Sequence, residues 1–237
     1  LVALTEDHSY PDATWAERAL AAHDGRWAAI GARVRNANPA SVWSRVNHDL
    51  AYGRWSDGAL DGEIDDVPGF NTIFARDALL ALGADLAPLL DRVAALHQAI
   101  RDQGGRFLFH ADAILNHWNP SVGLPSVSLW FRIGRCFGHY RARTERWSVG
   151  RRLTYMTAAP LVALVRLRGQ YVARRVRTAP AETWAYYAVL ALLATAAGFG
   201  ETFGYVAGEG AAVDALNDFE FRRDRYLRPR DRLAFLG

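Results

Sequence analysis

The chain has 237 residues, 51% of them apolar, and a single cysteine, Cys136. That allows one large domain, or one and a half small ones, with a core, and excludes a disordered tail, an internal disulfide framework and a multi-cysteine metal site. All 28 basic residues are arginine and the net charge is only +3, yet residues 132–177 carry 12 arginines against one acid, Glu145, so a modest total hides one strongly cationic block.

In chain order, residues 1–5 read as a short apolar strand ending at Glu6-Asp7-His8. With no start methionine or signal peptide, a strand at position 1 reads as a sequence beginning inside a domain. Pro11 opens a helix expected over residues 12–23, with Trp15, Ala19 and Ala22 on one face. Residues 27–34 read as a second strand, and 40–55 as an aromatic helix carrying Trp43, Val46, Leu50 and Trp55. The acidic, Gly/Pro-containing residues 56–68 read as a loop. A short strand follows at 68–74, then a helix over 76–82. A longer helix is expected over 85–103, with Leu86, Leu89, Leu90, Val93, Leu96 and Ile100 on one stripe. Two short strands, 106–110 and 113–117, close this part. Strands alternating with helices indicate an α/β fold with a mixed sheet. Beyond Pro125 the chain turns helical, aromatic and basic, so a boundary is expected near 122, giving regions 1–122 and 123–237.

Glu6, Asp7 and His8 follow directly on a strand. Two carboxylates and an imidazole there can hold Mg²⁺ or Mn²⁺, since hard oxygens suit both ions and imidazole is compatible with Mn²⁺. The plainer alternative is a solvated acidic turn before a helix. His117, at the end of a later strand, is either a fourth ligand or a hydrogen-bonded surface histidine.

The ordered set of strand, EDH, SYPDATW, PGFNTIFARDAL, a helix closed by Gly104-Gly105, and RFLFHADAILNHWN resembles the second half of the inverting family 2 (GT-A fold) glycosyltransferases over about residues 1–120. The resemblance implies a partial GT-A-like mixed sheet flanked by helices, with a nucleotide-binding half expected upstream of Leu1. It implies that Glu6, Asp7, His8 and His117 hold the metal, with Glu6 and Asp7 also at the donor diphosphate. His8 stands where an aspartate is usual. Gly69-Phe70-Asn71 matches the substrate-binding segment. An acceptor hydroxyl needs a general base, and Asp91, Asp65 and Asp66 are the candidates. The implied partners are a nucleotide-sugar donor and a lipid-linked or glycan acceptor, although without the upstream half the chain alone is expected to bind no sugar nucleotide measurably.

The arginines of 132–177 are interleaved with Trp130, Phe131, Phe137, Tyr140, Trp147, Tyr155 and Tyr171. That pattern suits an anionic membrane surface. No nucleic-acid motif accompanies it, so nucleic acid is not an expected partner. Residues 183–200 are uncharged over 18 positions, about 27 Å of helix and the lower limit for a span. A span, a re-entrant hairpin and a buried core helix lying as a soluble lid over the sheet are all open; a helical, membrane-associated region, peripheral or with one short span, is expected. The preceding positive block would leave the catalytic half on the cytoplasmic face. A catalytically degenerate membrane-surface scaffold is the alternative reading.

Overall fold

A computed structural model describes residues 1–90, 92–157, 161, 164, 165, 167–169 and 184–236. The chain divides into two compact units: Leu1–Ala37 with Tyr52–Trp118, and Asn38–Ala51 with Asn119–Gly237. The switch after Trp118 lies close to the boundary read from composition. The earlier segment Asn38–Ala51, grouped with the second unit, had no signal of its own in the sequence.

The first unit is α/β. Strands β1 (Val2–Leu4), β2 (Ser9–Pro11), β3 (Ala29–Asn36), β4 (Gly62–Ile64), β5 (Thr72–Phe74) and β6 (Phe107–His117) form one mixed sheet. Its order is β1-β5-β3-β6-β2, and β4 also pairs with β6. β3 and β6 run parallel, and the other pairs are antiparallel. The first four residues of β3 are fully buried, as expected of a central strand covered on both faces. Gly31 in β3 permits a close approach: a Cβ there would lie 2.7 Å from the Pro68 ring.

Helix α1 (Trp15–Ala22) sets Trp15 and Ala19 against Ile30, Ala32, Ile73, Ala113 and Leu115. Helices α3 (Arg76–Leu80) and α5 (Val93–Asp102) bring Leu79, Leu96 and Ile100 against Ala29, Phe74 and Phe107. The long helix expected over 85–103 is two helices, α4 (Leu86–Leu90) and α5. Arg92, with φ −139° and ψ 72°, leaves helical space and caps α5, so the apolar stripe runs through a break. Pro11 does not open a helix. It ends β2, opposite Leu115, on an edge strand where its missing N–H is tolerated. β4 lies inside the segment read as loop. The two strands expected over 106–117 are one strand, β6, and its pairing with β3 jumps from Ala32–His110 to Arg33–Ile114. Residues 111–113 are thus a bulge, and the Ala111 N–H at its start donates to the Asp61 carboxylate.

The second unit is helical: α2 (Val42–Tyr52, its last residue grouped with the first unit), α6 (Gly123–Thr144), α7 (Val149–Met156), α8 (Trp184–Ala207), α9 (Ala212–Phe221) and α10 (Pro229–Leu236). α6 and α8 run side by side in the same direction, joined through glycine. A Cβ at Gly134 would lie 2.0 Å from the Ala197 carbonyl oxygen, and one at Gly138 2.1 Å from that of Glu201. In return, one at Gly200 would lie 1.9 Å from the Phe131 oxygen and one at Gly204 2.1 Å from that of Arg135. Small-xxx-small spacing on both helices lets the backbones touch. Val46, Trp130, Tyr186, Leu190, Leu193 and Ala197 form the core. α8 outruns the uncharged stretch and carries buried Glu201. Its length and composition would allow it to cross a membrane, with mean hydropathy 1.4 in its most apolar window, although 61% of that window is buried within the protein. The core helix of a soluble protein meets the same test.

Candidate metal centre

Glu6 and His8 are set by a tight turn between β1 and β2. The Ser9 N–H donates to the Glu6 carbonyl at 3.0 Å, closing a four-residue β-turn with Asp7 and His8 at its corner. Ser9 then pairs with His117, the last residue of β6. The Trp118 N–H donates to the His8 carbonyl at 3.1 Å. The backbone thereby holds residues 8 and 117 together across 109 positions of sequence.

Three side chains converge. His8 Nε2 and His117 Nε2 lie 3.0 Å apart. Glu6 Oε2 is 3.4 Å from the first and 3.2 Å from the second. Both histidines are buried, and the Glu6 carboxylate is 23% exposed. Donor atoms about 2.1 Å from one cation lie about 3.0 Å apart at octahedral angles and about 3.4 Å apart at tetrahedral ones. The observed triangle fits between these limits, and the two-imidazole, one-carboxylate donor set is one that transition metals accept.

The fourth expected ligand, Asp7, lies outside this triangle. Its carboxylate is 80% exposed and lies 2.8 Å from His8 Nδ1. A carboxylate accepts only, so Nδ1 donates to it, and Nε2 is turned toward His117 and Glu6. Asp7 stands in the place that outer carboxylates commonly take beside metal-bound histidines.

Of the segment Gly69-Phe70-Asn71, Asn71 joins the cluster directly. Its Nδ2 donates to Glu6 Oε2 at 2.8 Å, and the Glu6 N–H donates to its Oδ1 at 3.5 Å. Gly69 takes φ +61° in the turn before β5, the left-handed region that glycine enters without strain. Phe70 is half-buried beside it, and its carbonyl accepts from the Thr72 N–H. The sequence reading missed Tyr52. Its hydroxyl donates to Glu6 Oε2 at 2.9 Å and its ring sits 4.6 Å from that of His117. Nothing in the apolar spacing of α2 distinguished it from a core aromatic.

Burial of Glu6 opposes its charged form. Hydrogen bonds and positive charge from His117 and His8 outweigh that and hold its carboxyl well below the usual carboxylate range.

The three candidate bases have other surroundings. Asp66 Oδ1 lies 2.6 Å from His97 Nδ1, and its carbonyl accepts from Trp55. Asp65 is exposed, and its carbonyl accepts from Arg101. Asp91 lies outside the described residues. His97, also missed from sequence, is buried against Phe74 and Phe107.

No known protein family, curated protein or solved structure matches the chain.

Proposed function

We propose that the chain is the metal- and acceptor-side part of an inverting GT-A-type glycosyltransferase working in cell-envelope glycan or glycolipid synthesis at the cytoplasmic face of a membrane. The observation that carries this is the convergence of Glu6, His8 and His117, with Asn71 hydrogen-bonded to Glu6. Three separated segments named by one family pattern supply one cluster. Mg²⁺ or Mn²⁺ held there would neutralise the diphosphate of a nucleotide-sugar as it leaves. The two nitrogen donors favour Mn²⁺ over Mg²⁺, which prefers oxygen. Glu6, Tyr52 and Asn71 form a hydrogen-bonded wall, and Asp7 keeps His8 in the ligating tautomer. Asp65, Asp66 or Asp91 would take the acceptor's proton while its hydroxyl attacks the sugar directly.

A second reading, a membrane-surface scaffold that has lost its chemistry, draws on the engagement of Asp66 with His97, which removes one candidate base from easy use. Calorimetric titration of Mn²⁺ into the parent and into His8→Ala separates the two. Binding by the parent that His8→Ala loses supports the transferase reading. No binding by the parent supports the scaffold.

A further inference from the structure

We infer that the α6–α8 pair lies in the plane of an anionic bilayer surface, with the outer face of α8 sunk into it, and does not cross the bilayer. This deepens the membrane part of the proposed function and is independent of the metal centre.

Trp184, Leu192, Phe199, Phe203 and Val206 recur at helical spacing along one side of α8. They are 83%, 46%, 54%, 50% and 50% exposed. The opposite side carries Tyr186, Leu190, Leu193, Ala197, Glu201 and Tyr205, all buried. Such an apolar side, broken only by Thr195 and the buried Thr202, marks an interaction surface, and a tryptophan at its end suits the lipid–water boundary.

The partner helix decides the orientation. α6 runs parallel to α8 in backbone contact through Gly134, Gly138, Gly200 and Gly204, so any depth that α8 reaches, α6 reaches with it. α6 carries Arg132 and Arg135 near its middle and Arg141 and Arg143 near its end. A spanning pair would carry guanidinium groups into hydrocarbon, where charge is strongly disfavoured. A pair lying in the plane keeps them at headgroup level while their stems rest on apolar surface.

Charge selects the occupant. Arg135 lies 5.0 Å over the ring of Phe203, a cation at the rim of the apolar face. Among the described residues, Arg132, Arg143 and Arg146 form no ion pair with an acid. α7 repeats the pattern, with Val149, Leu153 and Met156 exposed beside Arg151 and Arg152. Anionic lipid answers both the apolar face and the cations. A second copy would bring two arginine blocks together.

The test uses the full chain. It should co-float with vesicles of phosphatidylglycerol and phosphatidylcholine in equal parts, and bind phosphatidylcholine alone roughly tenfold or more weakly. Phe199→Ser/Phe203→Ser should weaken binding to the anionic vesicles roughly tenfold or more. Trp184→Ser, at the exposed helix start, gives the same reading should the double variant fail to fold. In sealed membrane vesicles from expressing cells, an impermeant maleimide should label Tyr187→Cys and Ala207→Cys equally, since both are exposed near the two ends of α8 and lie off its lipid-facing side. Four results overturn the inference: labelling of one end alone, binding untouched by the serine changes, self-association that Phe199→Ser abolishes, or tighter binding to duplex DNA than to the anionic vesicles.

Discussion

Glu6 in the first unit and Glu201 in the second are both carboxylates held among hydrogen-bond donors, and their surroundings differ in kind. Glu201 accepts from the Tyr205 hydroxyl, with Arg141 at 3.6 Å. Burial and the nearby Glu201 charge push the Tyr205 hydroxyl well above its ordinary range, so its proton stays in place. These contacts each set a donor or a cation against an acceptor: Tyr205 on Glu201, and Arg141 on both. Around Glu6 two imidazole nitrogens face each other at 3.0 Å with a carboxylate oxygen beside both. Asp7 accepts from His8 Nδ1, and the two facing nitrogens are close enough to share a proton or to hold a cation between them. Burial alone does not identify a site. Two imidazole nitrogens and a carboxylate oxygen converging on one point make Glu6, His8 and His117 the candidate.

The largest change should come from closing the glycine seam. Gly138→Leu sets a side chain against the Glu201 carbonyl, and overpacking against backbone should remove about 3 kcal/mol or more from the second unit. Chemical denaturation reads the loss, and Mn²⁺ affinity should hold in the folded fraction. Next, His117→Ala removes a converging nitrogen and should weaken Mn²⁺ binding more than about a hundredfold, beyond the range for outer groups. Unchanged affinity would place the ion elsewhere. Asp7→Asn keeps all three converging atoms and releases the His8 tautomer, so a loss of about ten- to a hundredfold is expected. A larger loss would make Asp7 a ligand after all.

The mildest perturbation is acid. Glu6's folded carboxyl lies below its ordinary 4.5, so its contribution to stability is complete above that value and fades as pH falls through the folded one. Urea midpoints taken from neutral pH down to about pH 3 should drop in the parent. Glu6→Gln should start lower and drop less. Parallel curves would mean that the carboxylate does not govern acid stability.

Much of this was legible in the sequence because it is local. The β1 strand, the Glu6-Asp7-His8 turn, the Asn71 segment and the α8 helix each announce themselves within a few residues. What was hidden depends on long-range pairing. Glu6, Asp7 and His8 read alike as ligands, yet only the fold turns Asp7 outward onto His8 Nδ1. Tyr52 reaches Glu6 from 46 positions away, and no periodicity encodes that. The helix read over 85–103 had an unbroken apolar stripe, and its break at Arg92 is conformational. Glu201 lay just beyond the uncharged run, and its burial depends on Tyr205 and Arg141.

The bulge at residues 111–113 has a consequence of its own. Side chains along a strand alternate between faces, but the alternation is not carried through this bulge: His110 and Ile114 are four residues apart, yet they pair with the adjacent Ala32 and Arg33. Between them β6 carries three residues for which β3 has no counterpart. The face on which His117 stands is set beyond the bulge, by its pairing with Asn36 on one side and Ser9 on the other. A slip of that register by one residue would turn His117 to the far side of the sheet with its own identity unchanged. The centre is therefore specified by a register as much as by a histidine, and an insertion or deletion that slips it would erase the centre where no alignment of ligand types would notice.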